Sequence, residues 1–459
     1  MSTLSIAVSP GEAWGALEED GAIVELRIAR LGGGAPPGAL MLGRIVALQP
    51  ELPAALVDIG EARAAFLSAD DAQPRKGLAG LTEGEAVLVQ VKKEARADKA
   101  TGVTLRPLLE GVYVDLRPGR AGISVRGRRL DEAERQRLSA ALARLAQPGE
   151  GIDIADRAQG AGDEALAADV AALRARWQAI AAARARATPP ARLEPEEGPA
   201  VEIIAAFLAS PPARIVIDDR AAFAEARQWL QRHRPALAAA LEYRAPAFDD
   251  DIAAQVEAAL APRVMLPGGG ALTIETTAAA TMIDVDSGGA PALAVNLAAA
   301  RAAARQIRLR NLAGPVVIDF IALRRPQERE PVRAALAAAL ARDPAAPQLL
   351  GWTRLGHMEL VRPRRHAALD EVLFERGADG GRIKTALTVA LEALRAAARA
   401  ADAAPGAAQR LSLAPEVATC LREGAARAAR LALEARLGRA LQLHAEPGRP
   451  RAAFDIAPA

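Results

Sequence analysis

The chain has 459 residues, 51% hydrophobic and 25% charged, which is enough for more than one sizeable core and ordinary for a soluble globular protein. Its 58 Lys and Arg nearly balance 56 Asp and Glu, for a formal net charge of +2, so bulk charge neither favours nor excludes a nucleic-acid partner. The single Cys420 excludes an internal disulfide and a Cys-pair zinc site. Charges interrupt every alanine-rich stretch before the ~18 apolar residues of a membrane span accumulate, and Met1–Gly11 shows no signal-peptide pattern, so no membrane partner and a cytoplasmic location are expected.

In chain order, Ile23–Ile28, Leu42–Leu48, Ala54–Ile59 and Ala86–Val91 read as short strands separated by Gly and Pro, a spacing that predicts a small barrel. A mixed segment follows, with a strand near Val112–Leu116 and helices over Asp131–Leu145 and Asp163–Ala187. Thr188–Pro199 has linker composition. Beyond it, Val201–Leu208 reads helical, Ala213–Ile217 as a strand and Arg220–His233 as a helix. From about Asp251 the pattern is helix, hairpin, strand, helix, strand, helix, which predicts an α/β domain with a buried sheet. The hairpin joins Arg263–Leu266 to Ala271–Thr276; its Gly268–Gly270 run lacks the Lys and helix start of a phosphate loop and reads as a turn. After Arg365 strand signals fade, and a small helical or α+β unit with Cys420 as a small buried residue is expected.

Two strand segments carry the chemistry: Thr281-Met-Ile-Asp-Val-Asp-Ser287 and Gly314-Pro-Val-Val-Ile-Asp-Phe-Ile321. Strand alternation puts Asp284 and Asp286 on one face and Ile283 and Val285 on the other. Asp319 sits in an otherwise apolar run, where a buried carboxylate would cost several kcal/mol unless paired or metal-bound. Convergent carboxylates with no Cys or His nearby suit a hard cation, Mg²⁺ or Mn²⁺, which polarises phosphoryl oxygens and activates water. The same acids equally suit strand-end carboxylates paired with Arg305 or Arg308.

The block from Ala294 to Ile321, with its Arg-Gln-Ile-Arg-Leu-Arg-Asn-Leu helix end and Val-Ile-Asp-Phe strand, resembles the core of the ribonuclease E/G family. Further matches lie in family order: Leu42–Val46 through Ala54–Gly60 and Ala65–Leu67, similar to the family's S1 barrel; Gly84–Lys99, similar to its exit; Arg263-Val-Met-Leu-Pro-Gly-Gly-Gly270; and Arg354-Leu-Gly-His-Met-Glu-Leu360, set against the family's R-x-G-L-x-E-M/L. The resemblance implies an S1/OB-type barrel (37–106) and a 5′-sensor-like module (107–189) inserted in a ribonuclease-H-like α/β subdomain (1–36 and 190–260). A metal-binding, DNase-I-like α/β subdomain (261–365), a linker (366–378) and a small C-terminal domain (379–459) would follow. It also implies Mg²⁺-dependent hydrolysis of single-stranded RNA to 5′-phosphate and 3′-hydroxyl ends, with Asp284 and Asp319 as metal ligands and Asp286 in place of the family's supporting Asn.

The chain departs from the pattern in three places. Arg362–Leu369 has no Cys-Pro-x-Cys, so no zinc is expected and any homo-oligomer would use other contacts. At the family's Arg-Thr phosphate pair stand Ala155 and Asp156, with Arg157 next, so recognition of a 5′-monophosphate is expected to be weak or lost. The loop from Ser287 to Asn296 is short.

For RNA, Phe66 matches a barrel aromatic, while its partner position reads Leu56; Lys93, Arg96 and Lys99 match basic exit positions and Arg354 a strand arginine near the catalytic acids. Phe66 equally suits a core position and the lysines a solvated turn. Arg301, Arg305 and Arg308 share one helix face, suited to RNA or to a plain amphipathic surface. No scaffold tail for degradosome partners is expected after Ala459. An endoribonuclease leads, a non-catalytic RNA-binding member of the same family is the alternative, and a DNA nuclease is third.

Overall fold

In the computed structural model, Leu4 and Ile6 alternate with small residues along Ser2–Ser9 (β1), and Leu4, Ser5 and Ile6 are all buried at its centre. β1 turns back into Glu12–Glu19 (β2), and Ala22–Arg30 (β3) completes an antiparallel meander. The structure describes all residues except 1, 33, 50, 73–76, 96–99, 128–129, 209, 278, 365, 378–379, 405 and 459. The described chain divides into two units, residues 1–33, 198–229 and 236–459 in the first and residues 34–197 and 230–235 in the second.

The second unit opens with Leu40–Gln49 (β4), Ala54–Asp58 (β5), Ala65–Ser68 (β6), Ala86–Lys93 (β7) and Gly102–Thr104 (β8). They pair in the order β4-β5-β6-β8-β7, and β7 returns to β4, closing the five-stranded barrel expected from the strand spacing. Its interior holds Ile45, Val57, Leu67, Val89, Val91 and Val103. A second sheet combines Leu109–Glu110 (β9), Val114–Pro118 (β10), Gly122–Val125 (β11) and, after helix Glu132–Ala143 (α1), Glu150–Ile154 (β12). Helix Asp163–Arg186 (α2) packs Leu166, Val170 and Leu173 into the same core. The expected linker is not wholly irregular: Ala191–Arg192 (β13) pairs with β4 of the barrel.

The first unit resumes with Pro199–Ala206 (α3), Arg214–Ile217 (β14), Arg220–His233 (α4, whose residues from Leu230 on fall in the second unit) and Leu241–Tyr243 (β15). β14 and β15 add in parallel to β1, giving a mixed five-stranded sheet, β15-β14-β1-β2-β3. Asp249 caps Asp250–Leu260 (α5) by accepting from the Ile252 amide (2.9 Å).

The six strands that follow are Arg263–Met265 (β16), Ala271–Thr276 (β17), Thr281–Asp286 (β18), Gly314–Asp319 (β19), Gln348–Trp352 (β20) and Met358–Arg362 (β21). They form one sheet, β16-β17-β18-β19-β21-β20. Helices Ala292–Leu309 (α6) and Arg329–Leu340 (α7) bury Val295, Ala299, Ala303, Ile307, Val332 and Leu336 with Ile283, Val285, Val316 and Ile318 of the sheet.

C-terminal to this sheet the structure holds more strand than the sequence reading expected. After Leu369–Leu373 (α8), Phe374–Arg376 (β22) and Arg382–Lys384 (β23) form a hairpin. Gln409–Leu413 (β24) then pairs with Gln442–Ala445 (β25) and Asp455–Pro458 (β26), beside Ala386–Ala403 (α9), Pro415–Arg422 (α10) and Arg427–Leu437 (α11). These strands are short and polar-rich, so their pattern is weak; pairing, not periodicity, defines them. Among the described residues no helix is long and apolar enough to cross a membrane.

Candidate active site

Alternation along β18 is complete: Thr281, Ile283 and Val285 are buried, while Met282, Asp284 and Asp286 face solvent. β19 runs parallel beside it in a register that sets Asp284 next to Asp319. β21 runs antiparallel on the far side of β19, pairing Ile318 with Met358. Continuing that register by one residue brings His357 opposite Asp319, and the His357 Nε2 lies 3.7 Å from Asp319 Oδ1. Asp284 on β18, Asp319 on β19 and His357, the residue before β21, therefore lie in one row on the face that α6 and α7 leave uncovered.

This placement corrects the expectation that Asp319 is buried. Its side chain is 52% exposed, because the apolar neighbours Val316 and Ile318 point to the helix-covered face and Asp319 to the other. The carboxylates thus carry no large desolvation cost. The pairing with Arg305 or Arg308 is not made either. Arg308 is buried and ion-paired to Glu19 (3.1 Å) and Glu25 (3.2 Å). Arg305 donates to the Ile23 carbonyl (3.0 Å) and Gln255 (3.1 Å). The three arginines of α6 therefore do not form a common RNA-facing surface, since Arg308 and Arg305 are engaged with other parts of the fold.

The Asp286 carboxylate is held at both oxygens. Its Oδ2 accepts from Arg263 of β16 (3.1 Å) and its Oδ1 from the Gly288 amide (3.1 Å), so Arg263 offsets the additional negative charge. Gly270 ends the β16–β17 turn at φ +84°, and a Cβ there would come within 2.5 Å of the Asp286 carbonyl oxygen. Only glycine fits that approach. Asn296, fully buried at the start of α6, clamps the segment after Asp319: its Nδ2 donates to the Ile321 carbonyl (2.8 Å) and its Oδ1 accepts from the Ile321 amide (3.1 Å).

Arg354 is exposed in the turn between β20 and β21, not on a strand as the sequence comparison had it. The turn is tied by the Thr353 amide donating to the His357 carbonyl (2.8 Å) and the His357 amide to Thr353 Oγ1 (3.1 Å). Just before it, Trp352 packs on Phe320 (ring centroids 5.6 Å apart) under the Arg329 guanidinium (5.5 Å). His357 was missed by sequence reading, although it is visible as the histidine in Arg354-Leu-Gly-His-Met-Glu, where the family pattern carries leucine.

Among the described residues no three His, Cys, Asp or Glu side chains converge into a ready-made metal cage. Paired, solvent-facing carboxylates with open positions around them nevertheless match what Mg²⁺ uses, one or two carboxylates with the remaining positions taken by water and substrate phosphate.

In the barrel, Phe66 is 41% exposed, so it is a surface residue and not part of the core. Leu56 lies directly opposite it on β5, Gly102 opposite it on β8, and Lys93 on β7 pairs with the same Gly102. Leu56, Phe66, Gly102 and Lys93 make one surface row, in which the Lys93 stem packs beside Gly102. Arg96 and Lys99 lie outside the described residues.

At the sensor-like stretch, Asp156–Ala158 forms a short 3-10 turn after β12. Arg157 is ion-paired with Asp115 of β10. Asp153, fully buried, is held between Arg117 (2.7 Å) and Arg126 (2.6 Å). Burial pushes the Asp115 carboxyl up to about 6 in spite of Arg157. Where the family has its zinc link, Asn311 holds the His366 and Ala367 carbonyls (2.8 and 2.9 Å), and Arg362 is buried on Asp343 (2.6 Å).

Comparison with known proteins adds three relatives. Ribonuclease G of Escherichia coli is 29% identical across 99% of both chains. Ribonuclease G of Haemophilus influenzae is 29% identical over 85% of this chain and 86% of its own. Ribonuclease E of a Nostoc species is 32% identical over 72% of this chain and 51% of its own. The model of the Ribonuclease E/G family matches residues 109–365, which include Asp284, Asp286, Asp319 and His357. With more than half of its length matched, the chain belongs to the ribonuclease E/G family.

Proposed function

We propose that this chain is a Mg²⁺-dependent endoribonuclease that hydrolyses single-stranded RNA to 5′-phosphate and 3′-hydroxyl ends in cytoplasmic RNA processing or decay. The observation that carries the reading is the in-register placement of Asp284 and Asp319 on the open face of the sheet. In this reading the two carboxylates hold Mg²⁺, for which Mn²⁺ can substitute. Bound there, the ion would polarise a phosphoryl oxygen and lower the pKa of a water. Asp286, held by Arg263 and Gly288, supports the strand end beside Asp284. Asn296 fixes the chain after Asp319, and Arg354 supplies a positive charge for the RNA backbone.

The barrel row of Leu56, Phe66, Gly102 and Lys93 fits a base stacked on the Phe66 ring with the phosphate tracked by Lys93. The proposed layout keeps the boundaries of the sequence reading, with 1–36 and 190–260 as a ribonuclease-H-like subdomain, 37–106 as the S1-like barrel, 107–189 as the sensor-like module, 261–365 as the DNase-I-like subdomain and 379–459 as the C-terminal domain. The order β15-β14-β1-β2-β3, with three parallel strands followed by an antiparallel meander, supports the first of these assignments.

A second reading, a family member that binds RNA without cutting it, draws on Leu56 standing where a second stacking ring is expected. Turnover of an A/U-rich RNA and of the same DNA sequence, with Mg²⁺ or EDTA and end-group mapping, tests the proposal. Metal-dependent RNA cleavage leaving 5′-phosphates is expected; binding without turnover selects the second reading, and equal cleavage of DNA overturns the substrate class.

A further inference from the structure

We propose that Arg329, held on the Trp352 ring, binds the RNA phosphate next to the one that is cut. The inference rests on the reading that Asp284 and Asp319 carry RNA cleavage. It adds a contact outside the matched motifs Ala294–Ile321 and Arg354–Leu360. Arg329 opens α7 with its side chain exposed. The acids beside it in sequence are engaged elsewhere: Glu330 pairs with Arg333 (2.6 Å), and Glu328 accepts from the Arg325 amide (3.2 Å). Arg329 itself makes no ion pair among the described residues, so its charge is available to an anion.

Two contacts fix where that charge sits. The guanidinium carbon lies 5.5 Å from the centroid of the Trp352 ring, and Trp352 is anchored by Phe320, the residue after Asp319, and by pairing with Met358. A guanidinium on an indole is attracted by the ring and still offers its N–H groups to phosphate oxygens. Its Nη2 is also 4.0 Å from the point where a Cβ on Gly356 would stand. Gly356, at φ +95°, has no side chain to screen the group. It is bonded to His357, whose Nε2 is 3.7 Å from Asp319. The guanidinium therefore lies at the end of the sheet where Asp319 stands, one turn residue beyond His357. From there it suits the phosphate that neighbours the scissile one, not the scissile one itself.

The test uses short single-stranded RNAs carrying one neutral methylphosphonate, placed in turn at each phosphate flanking a mapped cut. They are cleaved in Mg²⁺ by the full chain as wild type, Arg329→Gln and Arg329→Lys. Wild type is expected to lose about tenfold in kcat/KM at one flanking position, the scale of a lost hydrogen bond to a charged group. Arg329→Gln is expected to show that loss on unmodified RNA, chiefly in KM, and no further loss from the methylphosphonate at that position. In EDTA, the slope of log RNA affinity against log salt should fall by about 0.7 in Arg329→Gln, the value for one phosphate on a single strand. Arg329→Lys, which keeps the charge, should restore the slope; a purely structural role for the Arg–Trp contact would not move it. Losses that multiply at every position, or an unchanged slope in Arg329→Gln, overturn the contact and leave cleavage at Asp284 and Asp319 standing. Wild type that cuts no RNA in Mg²⁺ overturns the underlying reading and this contact with it.

Discussion

Asp284 and Asp319 are register partners on adjacent parallel strands, so two like charges lie side by side on a solvent-facing sheet. Directly opposed like charges on a sheet cost about 0.2–1 kcal/mol. In EDTA, Asp284→Asn is therefore expected to raise the melting temperature by roughly 1–3 °C. Adding Mg²⁺ should stabilise wild type by mass action and leave the variant unmoved. A variant that melts lower than wild type in EDTA would contradict the assignment of these acids to function at the expense of stability.

Asn296 should matter for both folding and activity. Asn296→Ala removes both hydrogen bonds to the Ile321 backbone and leaves a half-buried amide and carbonyl without that partner. A loss of about 2–4 kcal/mol is expected from denaturant titration, with reduced cleavage because the chain after Asp319 is released. An unchanged midpoint would show that the clamp contributes nothing.

How much of this was readable beforehand depended on pattern strength. β18 announces itself because apolar residues alternate with aspartates, β19 because an apolar run ends in one aspartate, and the barrel because Gly and Pro separate short apolar runs. β1 was not read as a strand, since Leu4 and Ile6 are its only large core residues. The C-terminal unit was read as helical or α+β with no strand placed in it, because its strands are short and polar-rich. Burial of Asp319 was misjudged because one strand's composition cannot say which face of the sheet is covered; that is decided by α6 and α7, distant in sequence. His357 escaped because a lone histidine has no spacing, and its contact with Asp319 arises from register alone.

On the barrel, Phe66 and Leu56 are cross-strand partners, so their variants should move RNA affinity in opposite directions. Phe66→Ala is expected to weaken single-stranded RNA binding by about 1–3 kcal/mol, and Leu56→Phe to strengthen it by a similar amount through a second stacking ring. Lys93→Ala should lower the slope of log affinity against log salt by about 0.7, the value for one phosphate contact on a single strand. Fluorescence anisotropy at several salt concentrations reads all three. Equal affinities for Phe66→Ala and wild type would remove the barrel row from the RNA path.

At the sensor-like stretch, Arg157 is engaged by Asp115 and Asp156 adds negative charge. Cleavage rates on 5′-monophosphate and 5′-triphosphate versions of one RNA are expected to agree within about twofold, the residue of a phosphate attraction offset by nearby acids. A strong monophosphate preference would contradict this.

The second unit also carries two opposing pH dependences. Asp115, raised by burial from 3.8 to about 6, keeps its proton more tightly when folded; its contribution is present below pH 3.8 and is lost as pH rises through 6. His233, lowered from 6.5 to about 4 by burial and then by Arg176, Arg232 and Arg234, acts the other way, with a contribution present above pH 6.5 and lost as pH falls through 4. The Asp115 shift corresponds to up to about 3 kcal/mol and that of the partly exposed, solvent-screened His233 to less, so the two oppose each other in part between pH 4 and 6. Asp115→Asn should expose a loss of stability on acidification, and His233→Gln a loss on raising the pH. Urea titrations across this window check the two signs; matching slopes in both variants would contradict the assignment.

The most direct measurement is cleavage of an A/U-rich single-stranded RNA in Mg²⁺ by wild type, Asp284→Asn and Asp319→Asn, with RNA binding measured in parallel. The account predicts metal-dependent cleavage by wild type, a drop of about 100-fold or more in each variant, as expected when metal-bound charge stabilisation worth several kcal/mol is removed, and unchanged RNA affinity from the intact barrel. Cleavage that survives both substitutions, or no cleavage by wild type while RNA still binds, would contradict it.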